Sequence, residues 1–182
     1  GSMVQRLGCD YPEHFAAVGI MIYQMPPGHA CGPSETLPMF HYYAELDDGV
    51  PPDGKPSPYG WVYTSAEDNT RVWAEAMGCS SPAVSWQTAL AQEHDLECEA
   101  YTDCQVEGAA VVSCGDPAAG HEWAAQRIDA IPADCVAPAQ KQDLPRKPIC
   151  PAISPPEERG GMELVWQFFS QHWRSPALAS TR

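Results

Sequence analysis

The stretch DPAAGHEWAA, residues 116–125, sets a histidine behind small, flexible residues and ahead of a tryptophan. His121 there fits a general base, a metal ligand or an ordinary solvated loop histidine. As a base it needs a carboxylate on Nδ1, which fixes the tautomer and stabilises the imidazolium while Nε2 moves protons. That carboxylate has to be close in space, not in sequence. One candidate is Asp47, in the acidic turn Asp47-Asp48-Gly49 that follows LPMFHYYAEL (37–46). An Asp in such a turn commonly serves the turn itself. Trp123 fits a packing or substrate-wall residue. A metal site could be assembled from His94, Cys98, Cys104 and Cys114, but their spacing is wide and irregular and no C-x-x-C knuckle occurs. No metal and no cofactor is expected. His14, His29, His94 and His172 have no recognisable partner and read as surface, while Tyr42 and Tyr43 read as half-buried strand aromatics.

The elements that must hold these residues belong to a chain of 182 residues, 44% hydrophobic, which suits one domain with its own core. No apolar run approaches the roughly 18 residues of a membrane span, so a soluble protein is expected. The formal net charge is −14, with only 10 Lys and Arg. A phosphate backbone would be repelled, which argues against nucleic acid as a partner, and the same charge argues against anionic membranes. Eight cysteines, Cys9, Cys31, Cys79, Cys98, Cys104, Cys114, Cys135 and Cys150, are an even number at wide spacing. That usage reads as disulfides made in an oxidising compartment, so the protein is expected to be secreted or periplasmic.

Along the chain, MVQRLGCDYPEHF reads as a helix running into a turn at Asp10-Tyr11-Pro12. FAAVGIMIY (15–23) is an uncharged apolar run of the kind a strand buried on both faces shows. A second strand is expected in LPMFHYYAEL, and PPDGKPSPYG is loop. SAEDNTRVWAEAMG is a capped helix, with Ser65 and Asp68 as the start signal, Val72, Trp73, Ala76 and Met77 as its apolar face and Gly78 as its end. ECEAY and AAVVSC read as an antiparallel pair. In that hairpin Tyr101 opposes Val111 and Cys98 opposes Cys114, which makes Cys98–Cys114 a cross-strand bridge. Residues 124–160 are rich in Pro and Ala and read as an excursion from the core. MELVWQFFSQHW is an amphipathic helix with Met162, Val165, Phe169 and Trp173 on one stripe. Mostly parallel strands joined by helices predict an α/β sheet, and in such sheets chemistry gathers beyond the carboxyl ends of the strands. Asp47 and His121 each follow such a strand.

Several of these segments together resemble the secreted esterases of the polyhydroxybutyrate depolymerase and feruloyl or acetylxylan esterase group, which are α/β-hydrolases. MVQRLGCDYPEHFAAVG is similar to the family's helix after the nucleophile. LPMFHYYAELDDGVPP is similar to a strand ending in His-Gly-x-x-Asp-x-x-Val-Pro, which implies Asp47, not Asp48, as catalytic acid. NTRVWAEAMGCS resembles a helix ending in Trp-x-x-x-x-Gly-Cys. CEAYTDCQVEGAAVVSCGDPAAGHEW resembles the run up to a Gly-His-x-Trp motif, which implies His121 as base. VWQFFSQHW is similar to the closing helix. The chain departs from the family at Tyr43-Ala44 (His-Gly there), at Ala118-Ala119 (glycines) and at Ala124 (a proline). It also contains no G-x-S-x-G nucleophile elbow.

The resemblance implies the carboxyl-terminal part of an α/β-hydrolase sheet, a single partial domain over residues 1–182 with the Pro-rich excursion at about 124–160. It implies a serine esterase acting on polyester or plant polysaccharide esters, with Asp47 and His121 supplied here and the serine lying upstream of Gly1. The partner it implies is the missing amino-terminal half of the hydrolase, without which the chain is expected to be inactive. It also implies a Cys79–Cys104 bridge, leaving Cys9–Cys31 and Cys135–Cys150 as local loops. The alternative is a non-catalytic, disulfide-rich secreted binding module derived from the same fold.

Overall fold

The computed structural model describes residues 1–80, 83–105, 110–121 and 160–172. Ser2–Asp10 form α1, which turns through the short 3-10 helix Pro12–His14 into β1, Val18–Met21. The apolar run expected over 15–23 thus yields a shorter strand. β2 is Met39–Ala44, and the loop after it leads to α2, Ala66–Ala76. Ser65 caps α2, its Oγ accepting from Asp68 N–H at 3.0 Å, and Glu67 and Asp68 in the first turn suit the positive end of the helix dipole. Gly78 leaves the helix in the left-handed region, at φ +63°, where a Cβ would be strained.

The remaining elements are β3 (Val84–Ser85), α3 (Ala89–Glu93), β4 (Glu97–Tyr101), β5 (Val111–Asp116) and α4 (Gly160–Phe169). β3 and α3 lie between the capped helix and ECEAY, where no element was expected. Thr88 announces α3 by capping it, its Oγ1 accepting from Ala91 N–H. The five strands form one sheet in the order β1-β2-β5-β4-β3. β1, β2 and β5 are parallel; β4 is antiparallel to β5, and β3 to β4. The sheet is therefore mixed, with the parallel trio on one side and an antiparallel flank on the other. The hairpin register is the expected one, with Tyr101 opposite Val111 and Cys98 opposite Cys114.

Alternation along the strands divides the core in two. Val18, Ile20, Met39 and Val111 face α2, where they meet Trp73, Ala74 and Met77. Phe40, Tyr42, Val112 and Cys114 face the other way, onto Ala91 of α3 and Leu164, Val165 and Phe168 of α4. This is a sheet between two helical layers, an α/β architecture. The stripe foreseen on α2 needs correction: Val72 is half-buried and Ala76 exposed, whereas Asn69, Thr70, Trp73, Ala74 and Met77 are buried. Hydrophobicity alone misplaces the face because its polar members, Asn69 and Thr70, are buried with hydrogen bonds. On α4 the buried residues are Leu164, Val165 and Phe168, with Phe169 half-buried; Trp173 and the side chain of Met162 lie outside the described residues. Tyr42 is fully buried rather than half-buried, and Tyr43 is half-buried.

Three disulfides join Cys9 to Cys31, Cys79 to Cys104 and Cys98 to Cys114. Cys135 and Cys150 lie outside the described residues. Three such bridges are those of a chain that matures in an oxidising environment. Among the described residues no helix is long and apolar enough to cross a membrane.

The least expected core residue is His41, in the middle of β2 and wholly buried. Its Nε2–H donates to the Tyr23 carbonyl at 3.2 Å, which leaves Nδ1 as the acceptor. Nδ1 lies 3.4 Å from Ser113 Oγ on β5 and 3.3 Å from Thr70 Oγ1 on α2, and Thr70 itself bonds the Ala66 carbonyl at 2.8 Å. One imidazole thus ties β2, β5, α2 and the end of β1 together. Burial pushes its pKa from the ordinary 6.5 down to about 4. The unfolded chain then binds a proton that the folded chain refuses, so stability is complete above pH 6.5 and drains away as pH falls toward 4. Urea titrations at pH ~7 and ~4.5 are expected to show the wild type losing about 2–3 kcal/mol more than His41→Asn. Equal losses in the two proteins would show that His41 does not carry the acid sensitivity.

Candidate active site

The carboxyl ends of β2 and β5 lie side by side, with Ala44 opposite Asp116. Pairing continues past the strands: Glu45 N–H donates to the Asp116 carbonyl at 2.9 Å, and Leu46 N–H to the Ala119 carbonyl at 3.0 Å. Two loops that are remote in sequence are thereby laid against each other, one carrying Asp47 and the other His121.

Asp47 is almost completely buried, its side chain 1% exposed. A buried carboxylate is costly unless its oxygens are satisfied, and both are. Oδ1 accepts from the N–H groups of Gly49 and Val50 at 2.8 and 2.9 Å, the turn role expected of an Asp in this sequence. Oδ2 faces His121 Nδ1 at 2.8 Å. The turn role and the partner role are thus met by different oxygens of one carboxylate. His121 is 59% exposed, so the ring carries Nδ1 inward and leaves the rest open. Gly49 helps make room: a Cβ there would stand 3.3 Å from Asp47 Oδ1 and 3.4 Å from His121 Nδ1, tight enough that the pair would have to shift.

The bond fixes the chemistry of the ring. With Nδ1–H donating to a carboxylate, neutral His121 presents Nε2 as a lone-pair base, and protonation of Nε2 gives an imidazolium that Asp47 stabilises. Among the described residues no hydroxyl or thiol hydrogen-bonds His121, and none of the described cysteines is free.

The surroundings add walls that were not foreseen from sequence. Tyr23 and Tyr63 meet edge to face, 5.6 Å between ring centres. Partial burial first, then Tyr23 and the charge of Asp47, raise the Tyr63 phenol above its usual range. Gly1, at the start of α1, lies against Tyr23 Cβ and the Met21 carbonyl, so α1 opens at this same end of the sheet. An open cleft of about 360 Å³ borders Asp47, between Leu46 and the proline-rich loop of Pro51, Pro52, Pro56 and Pro58, with Glu45, Asp48 and the ion pair of Asp53 with Lys55 at hand.

Trp123 lies outside the described residues. The four residues of the metal alternative are not a site: Cys98 is bonded to Cys114 and Cys104 to Cys79, and no group of three potential ligands occurs among the described residues. His14 and His29 are exposed as expected. His94 and His172 are half-buried rather than surface residues, His172 against the Phe168 ring at 4.5 Å between centres. No protein-family model and no curated protein matches the chain.

Asp47→Asn tests the pair directly. The amide keeps an oxygen for Gly49 and Val50 but turns an NH2 toward His121, so Nδ1 must become the acceptor and the ring proton must move to Nε2. Nitrogen NMR of the neutral ring is expected to show Nδ1–H in the wild type and Nε2–H in the variant; the same tautomer in both would break the assignment.

Proposed function

We propose that this chain contributes the acid and the base of a serine esterase triad of the α/β-hydrolase type, secreted and acting on polyester or on plant polysaccharide esters. The observation that carries the reading is the 2.8 Å contact between His121 Nδ1 and a buried, otherwise satisfied Asp47, with the imidazole open to solvent. The order acid then histidine and the placement of both beyond parallel strands agree with it, as do the five motifs that resemble the depolymerase and feruloyl esterase group.

In this reading the nucleophilic serine comes from outside residues 1–182, on a strand that leads into α1. The position of Gly1 against Tyr23 and Met21 favours this, because α1 opens at the carboxyl end of β1, the end of the sheet at which Asp47 and His121 follow β2 and β5. The serine hydroxyl attacks the acyl carbon while His121 Nε2 takes its proton, and His121 returns that proton to the leaving alcohol. A second cycle with water frees the acid. Asp47 is held by the Gly49 and Val50 amides, and its carboxylate steadies the imidazolium. The carboxylates around the cleft disfavour anionic substrates.

Residues 1–182 alone are expected to leave a short-chain nitrophenyl ester intact. A version extended upstream through a G-x-S-x-G elbow should react with a fluorophosphonate probe and turn the ester over. It should lose about 10⁴-fold in kcat on Asp47→Asn and at least as much on His121→Ala. Serine-dependent turnover by residues 1–182 would sink the first expectation. An extended chain that folds but neither labels nor hydrolyses would sink the triad and favour a binding module.

A further inference from the structure

We propose that Asp116 is the positioning residue of His121, acting through Tyr42 and the turn between them; this rests on the reading of His121 as the base. Asp116 closes β5, and only Pro117, Ala118, Ala119 and Gly120 separate it from the histidine. None of these four has a polar side chain, so the turn cannot hold its own shape through them. The Asp116 carboxylate supplies what they lack. Oδ1 accepts from Ala118 N–H at 3.0 Å and Ala119 N–H at 3.1 Å, an Asx-type turn. Oδ2 accepts from the Tyr42 hydroxyl at 2.9 Å, and the Tyr42 ring is only 1% exposed, locked in the core.

The backbone takes the same measurement twice more, through Glu45 to the Asp116 carbonyl and Leu46 to the Ala119 carbonyl. Every one of these fixed points lies in 42–46, the segment that runs directly into Asp47. The turn holding the base is thus gauged from the segment holding the acid, and a contact of 2.8 Å between the two needs such a gauge. Among the described residues of the base's own loop, Asp116 is the one carboxylate. With Oδ1 taken by two amides and Oδ2 by a phenol, it does not compete with Asp47 for the imidazole.

The test reads the tautomer of neutral His121 by nitrogen NMR on the whole chain, with the amide signals of β2 and β5 as the control for folding. Asp116→Ala is expected to lose the predominance of Nδ1–H and move toward the Nε2–H form. Tyr42→Phe, which keeps the buried ring, should move less in the same direction. Asp116→Asn retains an oxygen for Ala118 and Ala119 and should restore the wild-type tautomer. A folded Asp116→Ala with the wild-type tautomer overturns the proposal, and so does an Asn variant that fails as the Ala variant does. If Asp116→Ala does not fold, Tyr42→Phe decides, and an unmoved tautomer there overturns it equally. No ester turnover enters this readout, so an inert extended chain would remove the esterase reading while leaving the positioning role intact.

Discussion

The parallel pairing of β2 with β5 is the constraint on which the rest depends. Its register runs from Met39 opposite Val111 to Ala44 opposite Asp116. Side chains alternate between faces with a period of two, so a slip of one residue would carry Phe40 and Tyr42 out of one core layer and Met39 and His41 out of the other. It would also move Asp116 by about 3.3 Å relative to Tyr42, more than a 2.9 Å hydrogen bond tolerates. Asp47 and His121 stand a few residues beyond this ladder, one after each strand. Their geometry is an extrapolation of its register.

Two different devices secure that register. On the α2 face the fastening is polar: His41 on β2, Ser113 on β5 and Thr70 on α2 share hydrogen bonds in a space closed to water. Buried polar groups carry a penalty unless paired, and here only one alignment of the three elements pairs them, so the penalty falls on misaligned states. On the opposite face the fastening is apolar and covalent. Phe40 meets Trp86 and Phe168, and Cys114 is bonded to Cys98 on the neighbouring strand. Both faces thus supply apolar cohesion, and the α2 face adds the polar specificity. Nearer α1, Asn69 adds a smaller polar link, its Oδ1 accepting from Gln5 Nε2 and Met25 N–H.

What was legible in the sequence is what short-range rules decide. Ser65 and Asp68 announce α2, an uncharged apolar run marks β1 and an apolar and aromatic run marks β2. The Cys98–Cys114 bridge follows from counting across a hairpin. Asp47 and His121 are recognisable as residue types in motifs, although their partnership spans 74 positions and exists only in the fold. His41 is hidden because one histidine in Phe-His-Tyr-Tyr looks like an ordinary outward residue; its burial depends on Thr70 and Ser113, which arrive from other elements. Asp116 is hidden for a similar reason. Asp-Pro reads as a turn, and nothing local says that a buried tyrosine 74 residues earlier will bond it. α3, only five residues long, is too brief for periodicity to register.

The three described disulfides have a wiring of their own. Cys9–Cys31 closes a loop within the first strand–helix segment, while Cys79–Cys104 and Cys98–Cys114 interleave in the second. None of them crosses the exposed proline-rich loop that separates the two segments. By the described disulfides these are two separate knots joined by a single strand of chain, and between them noncovalent contacts, the β2–β5 ladder foremost, hold the described fold together. A protease cutting near Tyr59 or Trp61, both prominently exposed, would release no disulfide-held piece from either knot. The nicked product would be a two-part protein whose halves, each internally cross-linked, could exchange between molecules and reassemble Asp47 of one copy against His121 of another.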